Sequence, residues 1–220
     1  DLAFLAAHDS DPFNRWQAVQ TISMRLLVDN VAALRAGRTM RIDDQLIGAL
    51  ASIISDAVLE PAFIALALIP PGEGDIAREI GHDIDPDLIF QARSAFRSVL
   101  GERLRAPLTT VYDQMHVRGG YSPDATSAGR RALRNVAADL LAATGQPADI
   151  ARASRQYETA DNMTDRMAAL GTLCLHDTPK RLQALDNFYA RYASDALVVD
   201  KWFSLQATIP RPETLEKVRS

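Results

Sequence analysis

Cysteine is nearly absent from this 220-residue chain: Cys174 is the single one, so no disulfide can form within it. Such sparing use suits a reducing compartment, and a cytoplasmic setting is expected. Charge of one sign is scarce too. The 24 Lys and Arg against 28 Asp and Glu leave a net charge of −4, which gives no basis for nucleic acid or an anionic membrane as partner. No uninterrupted apolar run is long enough to cross a bilayer, and no stretch reads as a secretory leader. Sustained period-two alternation and hairpin turn signals are missing, which excludes a credible sheet. What remains is an ordinary globular composition, 47% apolar, long enough to bury a sizeable core without staples.

Catalytic motifs are missing as well. A zinc peptidase helix needs two histidines one turn apart with a glutamate beside the first, and no such H-E-x-x-H occurs. Pro71-Gly72-Glu73-Gly74 has the glycines of a phosphate cradle but neither its lysine nor the strand before it. No serine has a nucleophile-elbow context. Cys174 lies in an apolar run with Leu170, Leu173 and Leu175 and reads as a small buried hydrophobe. His176 is close along the chain, but closeness on one helix does not make a dyad.

Helical periodicity fills the space these absences leave. Helices are expected over Leu2 to Ala7 and Pro12 to Ala36, the second with Phe13, Trp16, Val19, Ile22, Leu26, Leu27 and Leu34 at helical spacing and Gly37 as its stop. Asp43 caps a third, Pro61 opens a short apolar fourth that ends before Pro70-Pro71-Gly72, and Asp75 to Ile80 forms another. Pro86 to Val117 is the longest periodic stretch, with a kink or division expected at Pro107. Ser122-Pro123 opens a helix to about Thr144, and Pro147 opens one to about Tyr157. Asn162, Pro179, Ala196 and Pro212 open the last four. Many helices of unequal length on short loops predict an all-α fold: an irregular helical-repeat (HEAT/armadillo-like) superhelix of antiparallel helix pairs, in a single domain over residues 1–220. Asp1 stands where a start methionine is usual, and Thr214 to Ser220 reads as an amphipathic helix barely begun, so a piece of a longer chain is expected.

His8-Asp9-Ser10-Asp11-Pro12 recurs as His82-Asp83-Ile84-Asp85-Pro86 and, shortened, as His176-Asp177-Thr178-Pro179, taking in three of the four histidines. A repeated His/Asp metal site is one reading. Helix punctuation is the other and the preferred one: Asp or Thr caps a helix that proline opens, and histidine suits the end of the helix before. Arg130, Arg131 and Arg134 form a basic stripe, read as a solvated face paired to nearby carboxylates. Phe188 and Tyr192, one turn apart beside Tyr189, read as core between two helices.

Two pieces are denser than the rest. In Asp161-Asn162-Met163-Thr164-Asp165, Asn162 is a good N-cap and Asp165 can close a capping box, with Met163, Met167 and Leu170 as the buried stripe behind it. In Asp200-Lys201-Trp202-Phe203-Ser204-Leu205-Gln206-Ala207-Thr208, Trp202, Leu205 and Val198 share a face, while Asp200 and Lys201 diverge toward neighbouring helices or loops. Local physics accounts for both as helix features.

The same two pieces resemble the C-terminal helical domain of bacterial aminopeptidase N, a zinc metallo-aminopeptidase family. Asp161-Asn162-Met163-Thr164-Asp165 is similar to the family's N-N-M-T-D with Asp for the first Asn, and Asp200 to Thr208 matches its D-K-W-F-x-L-Q-A-T without a departure. Phe13-Asn14-Arg15-Trp16-Gln17-Ala18 looks like F-x-R-W-x-A, and Leu133-Arg134-Asn135 like an L-R-N helix, so the similarity runs almost the full length in order. The resemblance implies a domain of an enzyme that removes N-terminal residues from peptides. It implies that Arg15, Trp16, Asn135, Asp161, Asn162, Met163, Thr164, Asp165, Asp200, Lys201, Trp202, Phe203 and Gln206 are structural positions, with no catalytic and no metal-ligating residue here. Zinc and its ligands would lie in a catalytic domain before residue 1, and further helices would follow residue 220. The expected partners are that catalytic domain and peptide substrates passing through an enclosed chamber, whose wall and gate this piece would form in the bacterial cytoplasm. The alternative is a stand-alone helical-repeat scaffold that binds proteins through its concave face.

Overall fold

The computed structural model describes residues 2–117 and 119–219, and the described residues form thirteen α-helices and no strand. The chain divides into two compact units, Asp1–Thr144 and Gly145–Ser220.

The first unit holds α1 (Leu2–His8), α2 (Pro12–Arg35), α3 (Asp44–Ser55), α4 (Pro61–Leu68), α5 (Glu73–Ile80), α6 (Pro86–Arg103), α7 (Arg105–Gln114) and α8 (Ala125–Ala142). Aspartates start most of the long ones. Asp11 accepts from the Phe13 amide at 2.8 Å, Asp43 from Gln45 and Leu46, and Asp85 from Asp87 and Leu88, each satisfying amides that the first turn leaves unpaired. Pro12 and Pro86 follow their caps at the first helical position. The His-Asp-Pro repeat is therefore punctuation at these two places.

The division expected at Pro107 is present, while the start of α8 differs from that expected. The long stretch from Pro86 divides at Leu104, three residues before Pro107, because the proline ring would meet the Arg103 carbonyl and has no N–H to offer it. Pro107 itself sits in the first turn of α7, where a missing donor costs nothing. Helix α8 starts at Ala125, not at Ser122-Pro123. Asp124 takes the cap, accepting from Ser127 N at 2.9 Å, and the Ser122 hydroxyl donates to the other carboxylate oxygen at 2.6 Å.

The core of this unit draws on α2, α3, α4, α6, α7 and α8, with Leu27, Leu46, Leu50, Ile53, Leu68, Ile89, Leu100, Leu108 and Leu133 fully enclosed. Glycines set two of its closest approaches. The Cα of Gly129 lies against Ala62 of α4, and Gly101 of α6 faces the Leu140 carbonyl of α8, where a Cβ would stand 2.0 Å from the oxygen. Arg97 and Asp139 join the same two helices at 2.5 Å.

The second unit holds α9 (Pro147–Thr159), α10 (Met163–Cys174), α11 (Pro179–Tyr192), α12 (Ala196–Ala207) and α13 (Thr214–Arg219), each packed on the next, with α9 also on α11 and α10 also on α12. Its separate core is Ile150, Ala153, Tyr157, Ala169, Leu170, Leu173, Cys174, Ala184, Leu185 and Phe188. Helix α13 begins two residues after Pro212, with the Thr214 hydroxyl donating to Ile209 O at 2.7 Å. Ser220, in the last expected helix, lies outside the described residues.

Candidate functional site: the motif residues and their corners

Arg15 is buried, and each of its bonds joins α2 to another element. Its Nε donates to the Ala6 carbonyl at 3.1 Å, near the end of α1, and Nη1 meets Asp56 Oδ2 at 2.9 Å, just past α3. The Arg15 guanidinium, aided by the Val58 amide, holds the Asp56 carboxyl below the usual carboxylate range. Trp16, next to it, is half-buried and packs beside the ring of Phe13 at 5.9 Å.

The stretch from Asp161 to Asp165 is a corner between α9 and α10. Asn162 Oδ1 accepts from the Asp165 amide at 2.9 Å, while its Nδ2 donates to Asp165 Oδ2 at 3.0 Å and to Asp161 Oδ1 at 2.8 Å. Asp165 is thereby buried with its carboxylate engaged. Arg166, also buried, turns back to donate to the carbonyls of Tyr157 and Ala160, the last turn of α9. A guanidinium on those carbonyls suits the negative end of the helix. Met163 and Met167, expected in the buried stripe, are only half-buried, and Thr164 is exposed; Ala169, Leu170 and Leu173 carry the core.

In α12 no residue is fully buried. Trp202 is half-buried: its Nε1 donates to Leu185 O at 2.9 Å, and its ring packs on Tyr189 at 4.8 Å. Phe203 is exposed and Gln206 half-buried. Asp200 and Lys201, expected to reach neighbouring elements, instead point to solvent and make no side-chain hydrogen bond or ion pair among the described residues. They rim an open hollow of about 720 Å³ whose floor is Met163, Met167 and Leu205. The motif pieces from α10 and α12 thus meet at one surface.

Asn135 is half-buried beside fully buried Leu133, and Arg134 lies 4.4 Å over the Tyr112 ring while donating to its hydroxyl at 3.0 Å. The rest of the basic stripe is not a face paired to carboxylates. Arg130 donates to the carbonyls of Gln114 and His116, and buried Arg131 to Ser122 O, so the stripe binds the end of α7 and the loop before α8. Carbonyls left over at a helix end are closer acceptors than any carboxylate.

Burial pushes the Cys174 thiol up to about 11, so it stays protonated at neutral pH. Phe188 is fully buried with Tyr192 at 4.8 Å, as core. At the third His-Asp-Pro site the pattern breaks down. Thr178 makes no cap bond, and Asp177 pairs with buried Arg181 at 2.8 Å instead. Among the described residues no three His, Cys, Asp or Glu side chains converge as a metal site.

Sequence reasoning missed Arg97–Asp139, Arg166 and Arg181. Arg166 had a usable signal, a basic residue directly after a capping box, and Arg181 had one in Asp177 four residues before it; nothing in linear spacing pairs residues 42 apart.

These residues sit in an all-helical fold of thirteen helices among the described residues. A family model described as a domain of unknown function (DUF3458_C) with ARM repeats matches residues 1–220. The chain belongs to that family, the C-terminal ARM-repeat domain of aminopeptidase N. Aminopeptidase N of Caulobacter vibrioides is 34% identical over 220 residues, 99% of this chain and 25% of that protein. Aminopeptidase N of Escherichia coli K12 is 30% identical over 218 residues, again 99% and 25%. The chain therefore spans about a quarter of the length of these curated relatives. The crystal structure of Legionella pneumophila aminopeptidase A in complex with aspartic acid shares the fold, with a TM-score of 0.84 at 22% identity over 99% of this chain and 26% of that one. No helix among the described residues is long and apolar enough to cross a membrane.

Proposed function

We propose that this chain is the helical, non-catalytic domain of a zinc aminopeptidase that removes N-terminal residues from peptides, and that it forms part of the wall of the reaction chamber and limits which peptides enter. The observation that carries this reading is the collinear 34% identity with an aminopeptidase N across 99% of the chain. The local geometry supports it: Arg15 and Trp202 bond to other helices, and Asn162 and Asp165 fix the corner where α10 starts, the task of a wall. Zinc, its ligands and the general base belong, on this reading, to a catalytic domain elsewhere in the longer protein.

Two measurements test it. The purified chain, supplied with zinc and alanyl p-nitroanilide, should show no turnover; zinc-dependent hydrolysis by the chain alone would overturn the division of labour. In the full-length protein, a photoreactive peptide held at the inhibited active site should crosslink to this chain, and crosslinks confined to the rest of the enzyme would overturn the wall assignment.

A further inference from the structure

Between the end of α2, the strap at residues 38–43, α3 and α6 lies a pocket of about 370 Å³. Its interior is apolar: Leu34, Met40, Ile47, Ala95, Phe96 and Val99. The strap forms its outer wall and is fixed in place. Buried Asn30 donates through Nδ2 to the Arg41 carbonyl at 3.1 Å and accepts from the Arg41 amide at 2.7 Å, a two-bond clamp that imitates a strand pairing. The pocket is therefore preformed, with a size and lining typical of small-molecule sites.

The charge at its mouth is lopsided. Arg38 and Arg41 are exposed on the strap, and neither guanidinium makes an ion pair or hydrogen bond among the described residues. Asp43, the acidic residue in the wall, has its carboxylate turned to the Gln45 and Leu46 amides at the start of α3. Nearby Asp44 is held by Arg103 at 2.7 Å. Two exposed arginines thus line the pocket with their donors available, around a surface that is mostly apolar.

We propose that this pocket binds a small amphipathic carboxylate, a medium-chain fatty acid or an arylalkanoate, with its apolar body against Phe96, Ile47 and Val99 and its carboxylate between Arg38 and Arg41. An apolar tail recovers the free energy of leaving water, and guanidinium groups match a carboxylate in geometry and charge. A neutral alcohol would fill the same space without the charge-assisted bonds. An alkylammonium would meet like charge.

The test uses octanoate, octanol and octylammonium with protein carrying ¹³C-methyl methionine, the Met40 signal being assigned through Met40→Leu. Octanoate should shift the Met40 methyl saturably while leaving Met163 and Met167 in place. Octanol should bind about tenfold more weakly and octylammonium more weakly still. The surface double variant Arg38→Gln/Arg41→Gln should lose about tenfold in octanoate affinity and none for octanol. Ala95→Phe, which fills the pocket, should abolish both. The proposal is overturned if octanoate leaves Met40 unmoved at millimolar concentration, if octanol binds as tightly as octanoate, or if the folded double variant retains full octanoate affinity.

Discussion

The contact between Gly101 and the Leu140 carbonyl gives the sharpest test of the packing. A Cβ at position 101 would stand 2.0 Å from Leu140 O and 2.9 Å from its carbonyl carbon. Normal separation is about 3.4 Å, so α6 and α8 would have to part by more than about 1 Å; a gap of that size forfeits about half of each dispersion contact lining it. Both blocking atoms are backbone, so no rotamer can relieve the clash. Leu100, Leu133, Ala137 and Leu141, all buried near the crossing, would loosen together. The overpacking cost sits at or above the top of its usual range, about 3 kcal/mol. Alanine's better helix propensity returns about 1 kcal/mol, leaving Gly101→Ala a net loss of about 2 kcal/mol or more. Gly48 is the control. It lies inside α3 with open space where a Cβ would go, so Gly48→Ala should gain about 0.5–1 kcal/mol. The chain's two tryptophans, Trp16 and Trp202, fall one in each unit, so a Trp202→Phe background lets Trp16 fluorescence follow the first unit alone in a urea titration. Equal stability of the two alanine variants would refute the helix crossing as described.

Trp202→Ala should cost about 2 kcal/mol, less than the ~3–5 of a fully enclosed aromatic, and Trp202→Phe about 1 kcal/mol for the lost bond to Leu185 O; far-UV circular dichroism melts in urea measure both. Asp56, held below its ordinary value chiefly by Arg15, stabilises the fold fully above the unfolded carboxylate pKa of about 3.9. That contribution is lost as pH falls through the lower folded value. The stability gap between wild type and Asp56→Asn should therefore be open at pH 6 and close below about pH 4; a gap unchanged in acid would remove the Arg15–Asp56 pair from the account. Cys174, pushed up to about 11 by burial, should resist a thiol-specific disulfide reagent at pH 8 until urea unfolds the second unit. Native-state labelling as fast as unfolded labelling would contradict its burial.

Helices were the legible part of this sequence. Caps at Asp11, Asp43, Asp85 and Asn162 act within three residues, so the local chain carries all the information needed to place them. The division at Pro107 was legible for the same reason, and reading failed where a local signal had a stronger neighbour, as when Asp124 displaced Ser122. Burial was less legible. Trp202, Met163 and Met167 have the spacing of core residues and sit at a half-open surface, because periodicity gives a face but not what covers it. Asp200 and Lys201 were placed by motif alone, and their geometry gives them no structural bond; the candidate pocket under the 38–43 strap left no motif at all, since its lining comes from four separate segments.

The corner at Asn162 also bears on the order in which the chain assembles. Its bonds span three residues from Asn162 to Asp165 and nine from Arg166 to the Tyr157 carbonyl, whereas Arg15–Asp56 spans 41 and Arg97–Asp139 spans 42. Closing a 42-residue loop instead of a nine-residue one costs about 1.4 kcal/mol more in chain entropy, before any contact repays it. The corner can thus be complete while the long-range pairs are still open, and α9 and α10 would enter the transition state already docked. Chevron analysis should then show Arg166→Ala slowing folding and Asp139→Ala mainly speeding unfolding. The residue run at this corner would, on this view, serve as a nucleus for folding as well as a joint between α9 and α10.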